Sequence, residues 1–71
     1  MNNVIIRQSE NYILTSYGNG IAYNLHNTAL DKSVYVQGDD AAQFRKELEA
    51  RENAFPEKDN LGQMFVDYYM E

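Results

Sequence analysis

The side-chain pattern changes period once, at Gly38-Asp39-Asp40, and that change limits the folds open to the chain. Before it, apolar and polar residues alternate with period two, the spacing that sends successive side chains to opposite faces of a strand. After it, apolar residues recur at i, i+3, i+4 and i+7, the stripe of an amphipathic helix. An amphipathic sheet and amphipathic helices must cover one another's apolar faces. The pattern therefore predicts an α+β fold: an antiparallel three- to four-stranded β-meander followed by two helices packed on one face (β-β-β-β-α-α).

Val4 to Gln8 is a short apolar run that reads as a first strand, and Ser9-Glu10-Asn11 has turn composition. From Tyr12 to Tyr17, Tyr12, Leu14 and Ser16 fall on one face and Ile13, Thr15 and Tyr17 on the other. In Gly18-Asn19-Gly20, the Asn-Gly pair supplies the positive-φ positions of a tight type I′ turn. The chain then returns from Ile21 to Asn27, with Ile21, Tyr23 and Leu25 opposite Ala22, Asn24 and His26. Thr28 to Lys32 reads as a second connection. Ser33 to Gln37 is the last strand, with Val34 and Val36 on one side and Tyr35 and Gln37 on the other. The sheet spans about residues 3–37.

Helices are expected over about 39–53 and 60–70. Asp39 or Asp40 is placed to cap the first, its carboxylate accepting free backbone N–H groups. Ala41, Phe44 and Leu48 form its apolar stripe, and Glu47 with Arg51 has favourable i,i+4 spacing. Ala54-Phe55-Pro56 ends it, because the residue before proline avoids helical backbone. Phe55 is expected to anchor the turn between the helices. Asn60 and Gln63 have capping-box spacing. Leu61, Met64, Phe65 and Tyr68 then form the stripe of the second helix.

A chain of 71 residues reads as a single domain over 1–71. It has no cysteine, which removes disulfides and thiolate metal sites and favours a reducing compartment. The N-terminus has no basic segment followed by an apolar run, and no stretch approaches the ~20 apolar residues of a membrane span. A cytoplasmic protein without membrane contact is expected. The net charge of −5 lies entirely in residues 39–71, since Arg7 and Lys32 balance Glu10 and Asp31 in the first half. Such a distribution disfavours direct nucleic-acid binding and favours basic partners.

The inventory for catalysis is short. His26 is the one histidine, there is no cysteine, and no Gly-x-Ser-x-Gly elbow occurs. Asp39 and Asp40 are adjacent and so do not face each other on a helix. Gly18-Asn19-Gly20 lacks the lysine and following helix of a phosphate loop. The expectation is no enzyme, no cofactor and no metal.

Six tyrosines are the unusual feature, since a large apolar ring with a polar tip suits both core and interface. Tyr35-Val36-Gln37-Gly38-Asp39-Asp40-Ala41-Ala42-Gln43-Phe44, preceded by a tyrosine-rich hairpin, is similar to small uncharacterised bacteriophage and prophage proteins. Their shared pattern is an aromatic strand, Gln-Gly-Asp-Asp-Ala and a helix carrying Phe. The resemblance implies an accessory role in a bacterial cytoplasm and no catalytic residues. Together these readings predict a non-enzymatic module that binds a host or phage protein, with a homodimer also compatible. The candidate interface is Tyr17, Tyr35, His26, Glu49, Glu52 and Tyr69. The alternative is an acidic decoy of nucleic acid that blocks a DNA- or RNA-binding protein.

Overall fold

In the computed structural model, which describes residues 3–70, four strands precede two helices: β1 (Val4–Gln8), β2 (Tyr12–Tyr17), β3 (Ala22–Asn27), β4 (Lys32–Gln37), α1 (Asp39–Ala54) and α2 (Asn60–Tyr69). Met1, Asn2 and Glu71, which carry the start of the N-terminal segment and one of the counted charges, lie outside the described residues. The strands form one antiparallel sheet in the order β1-β2-β3-β4, the expected meander. Both helices lie on the face of Leu14, Tyr23, Leu25, Val34 and Val36. There Ala41, Phe44 and Leu48 of α1 and Leu61, Met64 and Phe65 of α2 close the core. Tyr23 lies on Phe44 (centroids 5.9 Å apart) and Phe44 meets Tyr68 edge-on at 5.1 Å.

The β2–β3 turn sits one residue earlier than the Asn-Gly pair suggests. Tyr17 pairs with Ala22, and the Gly20 N–H donates to the Tyr17 carbonyl at 3.1 Å, so Gly18 and Asn19 are the central residues. Both have positive φ (55° and 61°), as a type I′ turn requires. Gly20 is also positive at 97°, which lengthens the loop to 18–21. Ile21 therefore belongs to the loop, 69% exposed, and does not join the face of Tyr23 and Leu25.

The second connection repeats that length, because Asn27 pairs with Lys32. Lys32 thus begins β4 instead of ending the loop. The Asn27 side chain holds this turn: its Oδ1 accepts the Ala29 and Leu30 N–H groups at 3.0 and 3.1 Å. Asn27 is 5% exposed, and its amide also donates to the Tyr12 hydroxyl at 3.4 Å.

Both helices start where the sequence places them, but neither is capped as it suggests. Gly38, with φ 63° and ψ −133°, caps α1, and Asp39 and Asp40 occupy the first turn without a capping hydrogen bond. That backbone is nearly closed to residues with a Cβ, so glycine takes the position and the aspartates act through the helix dipole. Asp59, not Asn60, precedes α2. Asn60 instead donates from Nδ2 to the Phe55 carbonyl at 3.0 Å, tying the linker together. Phe55 is not an anchor; it is 49% exposed, with the Lys58 ammonium 4.9 Å from its ring centroid.

Arg51 does not pair with Glu47. It reaches Asp67 of α2 at 2.7 Å, while Gln43 takes Glu47 at 3.0 Å. On the sheet side, a bulge between Ile5 and Arg7 turns Arg7 toward α1, where it holds Glu52 through two bonds of 2.8 and 3.1 Å.

Candidate functional site

With both helices on one face, the other face of the sheet is left uncovered, and the strand registers give its composition. One row runs Gln8, Ile13, His26, Ser33 across the four strands. The next runs Ile5, Thr15, Asn24, Tyr35, and a third runs Tyr17, Ala22, Gln37. None of these positions holds Asp, Glu, Lys or Arg. The two such residues in the strands, Arg7 and Lys32, pair with Leu14 and Asn27 on the covered face.

The uncovered face is half apolar and well ordered by its own contacts. Tyr17 and Tyr35 lie with ring centroids 6.1 Å apart, tilted at 59°. Tyr35 is 57% and Ile5 54% exposed, while Ile13, Tyr17 and His26 are half-buried by their neighbours. His26 Nδ1 lies 2.7 Å from the Ser33 hydroxyl, and Nε2 lies 3.6 Å from a carboxylate oxygen of Asp31 at the rim.

Ser33, His26 and Asp31 therefore form a serine–histidine–aspartate contact chain, with the two ring nitrogens exchanged relative to a hydrolase triad. The Asp31 side chain is 95% exposed, and Ser33 lies open on the sheet. Nucleophilic catalysis of this kind depends on a desolvated site with donors aimed at the developing oxyanion. Ser33 and Asp31 flank the ring and fix its orientation, the Ser33 hydroxyl within hydrogen-bond distance of Nδ1 and the Asp31 carboxylate beside Nε2.

The expected interface residues divide between two surfaces. Tyr17, Tyr35 and His26 share the uncovered face. Glu49 and Glu52 are on α1 and are already engaged, Glu49 with Arg45 at 3.1 Å and Glu52 with Arg7. Tyr69, on α2, stacks on Phe65 with centroids 5.1 Å apart and is 46% exposed. Thus the structure does not join Glu49, Glu52 and Tyr69 to the tyrosine face. It adds Ile5, Ile13, Thr15, Asn24 and Ser33. The alternation in β2 and β3 already put Ile13, Thr15 and Asn24 on this side. Ser33 follows from the same alternation, two residues before Tyr35, and Ile5, ahead of the β1 bulge, follows only from the cross-strand register.

Electrostatics reinforces the division. The Arg7 guanidinium is held above its ordinary range, first by the hydrogen bond to Glu52, against the cost of partial burial. Arg45 is likewise raised by its hydrogen bond to the Tyr23 hydroxyl and then by Glu49. A raised pKa contributes stability that is fully present below the group's unfolded value and is lost only as pH rises through the still higher folded value, so neither arginine makes the fold pH-sensitive near neutrality.

A second concavity, an open cleft of about 570 Å³, lies between the β1–β2 turn and the α1–α2 linker. Arg7 and Lys58 face Glu10, Glu52, Glu57 and Asp59 there, so the cleft is acidic, with two carboxylates in excess of its basic groups. Among the described residues, no group of three His, Asp or Glu side chains is placed to hold a metal ion. No helix among them is long and apolar enough to cross a membrane. Comparison with protein-family models, with curated proteins and with solved structures gives no match.

Proposed function

We propose that the protein is a non-enzymatic protein-binding module of the phage or prophage accessory type, and that its contact surface is the uncovered sheet face. The observation that carries this reading is an uncharged, tyrosine-bearing face on a chain whose net charge is −5. Interface cores are depleted of charge and enriched in aromatic residues, and a neutral patch on an acidic protein has that character. The acidic-decoy alternative draws less support. Glu49, Glu52 and Asp67 are each bound to an arginine of the same molecule, which leaves fewer carboxylates free to imitate phosphates. The Gln37-Gly38-Asp39-Asp40-Ala41 segment that carries the phage resemblance forms the corner between β4 and α1. Its role in this reading is to hold the helices on the opposite face.

The test is affinity capture from a bacterial lysate, with and without nuclease, read by mass spectrometry. Tagged wild-type protein should retain a nuclease-resistant protein partner, either another protein or an untagged copy of itself supplied in the lysate. The Tyr35→Lys variant should lose that partner, and Glu49→Gln should keep it. Equal capture by Tyr35→Lys, or loss with Glu49→Gln alone, would overturn the assignment of the surface.

A further inference from the structure

We infer that the uncovered face binds a second copy of this chain, the two sheets stacking face to face about a two-fold axis. The inference rests on the reading of that face as a protein contact surface, and names its partner.

Charge selects the partner. Away from His26 and the Asp31 carboxylate at the rim, a partner that set a charged group against this face would bury it unpaired, because no other strand position there offers a countercharge. The occupant must present an equally neutral surface, and the chain itself carries one. A two-fold interface is self-complementary by construction, each patch meeting its own copy. Asn24, in the central row beside Thr15, supplies both a donor and an acceptor, so it can satisfy its own symmetry mate. The Tyr17–Tyr35 pair and Ile5 supply the apolar contacts.

Net charge selects the face. Two chains of −5 repel each other, and the excess acid lies in the helical half. Sheets packed about 10 Å apart, each backed by a helical layer about 10 Å further out, hold the two acidic layers about 30 Å apart, several screening lengths at physiological salt. Packing through the helices would press those layers together instead.

Area sets the strength. Four strands about 4.8 Å apart and five or six residues long at about 3.3 Å each give a footprint of at most about 400 Å². Side-chain relief raises this to roughly 1,000–1,200 Å² of accessible surface for the pair, the lower end of specific interfaces. An interface of that size is small, and the association expected of it is weak and reversible.

The experiment is sedimentation equilibrium of the full chain from micromolar to millimolar concentration. The expected result is a reversible shift from 8.2 kDa toward twice that mass. Thr15→Lys, central in the face, and Tyr35→Lys should each weaken association by about 100-fold, since each sets like charges against one another in the interface. Both substitutions reduce the net charge from −5 to −4, which eases long-range repulsion, so a lost dimer reports burial at the face. Ala50→Lys, exposed on α1, makes the same change in net charge and should leave the dimer intact. Circular dichroism checks that each variant is folded, and Ser33→Lys, at an exposed position, replaces any that is not. A dimer unmoved by these face variants uses another surface, such as a β1 or β4 edge, and overturns the inference. A monomer throughout also overturns it. In that case, loss of a lysate partner by Tyr35→Lys would preserve the face as a contact surface for a different protein. Unaltered capture would remove both.

Discussion

Asn24 and Leu25 are neighbours in β3, yet they answer to different demands. Leu25, 1% exposed, faces two helices and meets Leu14, Val34 and the rings of the core. Asn24 faces no other element and shares its side of the sheet with Thr15, Ser33 and tyrosines. The covered face is aliphatic and aromatic at its centre and tolerates charge at its margin, because Arg7 can reach Glu52 on α1. The uncovered face has no second layer to supply such a partner, and its strand positions carry no charged residue. Burial alone explains the covered face. The uncovered one is too polar for a missing core and too neutral for an ordinary solvated surface on an acidic protein.

That contrast predicts a graded response to substitution. Leu48→Ala, at a fully buried position under the covered face, should cost about 2–5 kcal/mol in urea unfolding, through lost burial and the cavity left behind. A loss below about 1 kcal/mol would mean that α1 is not seated as described. Gly38→Ala should cost about 1–3 kcal/mol, from backbone strain alone, since no atom lies within 4 Å of the added Cβ. Gly38→Asn should recover little of this, as φ 63° with ψ −133° lies outside the left-handed helical region that asparagine tolerates.

Smaller effects test the margins of the two faces. The Arg7–Glu52 pair is about one-third exposed at both side chains, so its double-mutant coupling should be only about 0.2–1 kcal/mol and should shrink as salt is added. A coupling unchanged by salt would indicate a more desolvated contact. On the uncovered face, Tyr35→Lys should lower the unfolding free energy of the dilute monomer by only about 0.5–1.5 kcal/mol, the worth of its ring contact with Tyr17. The same substitution acts more strongly on association than on folding. A large loss of monomer stability would erase the distinction between the faces.

The element order was legible because alternation and helical spacing are local signals, strong in Tyr12–Tyr17 and again in Leu61, Met64 and Phe65. Errors arose where the answer depends on something distant or on backbone geometry. Gly18-Asn19-Gly20 allows either adjacent pair to be the centre of the turn, and only the pairing of Tyr17 with Ala22 decides between them. The Asp39-Asp40 pair looked like a cap, yet the backbone at the helix start takes a conformation suited to glycine. Arg51 lay at the right spacing from Glu47, but Asp67 on α2 competes for it, and no sequence spacing reveals that contact. Half of the candidate interface was legible for the same reason. Tyr17, Tyr35 and His26 follow from alternation. Glu49 and Glu52 stand out in the sequence only by their charge, which their pairing with Arg45 and Arg7 largely satisfies.

The proposed role requires the uncovered face to be the surface that meets another protein. The most direct measurement is an amide and side-chain NMR map of the labelled protein, recorded as its own concentration is raised and again with any partner captured from lysate. Shifted resonances are expected to cluster at Thr15, Asn24 and Tyr35 and to spare α1. Shifts centred on Glu49 and Glu52, with the sheet face unchanged, would contradict it.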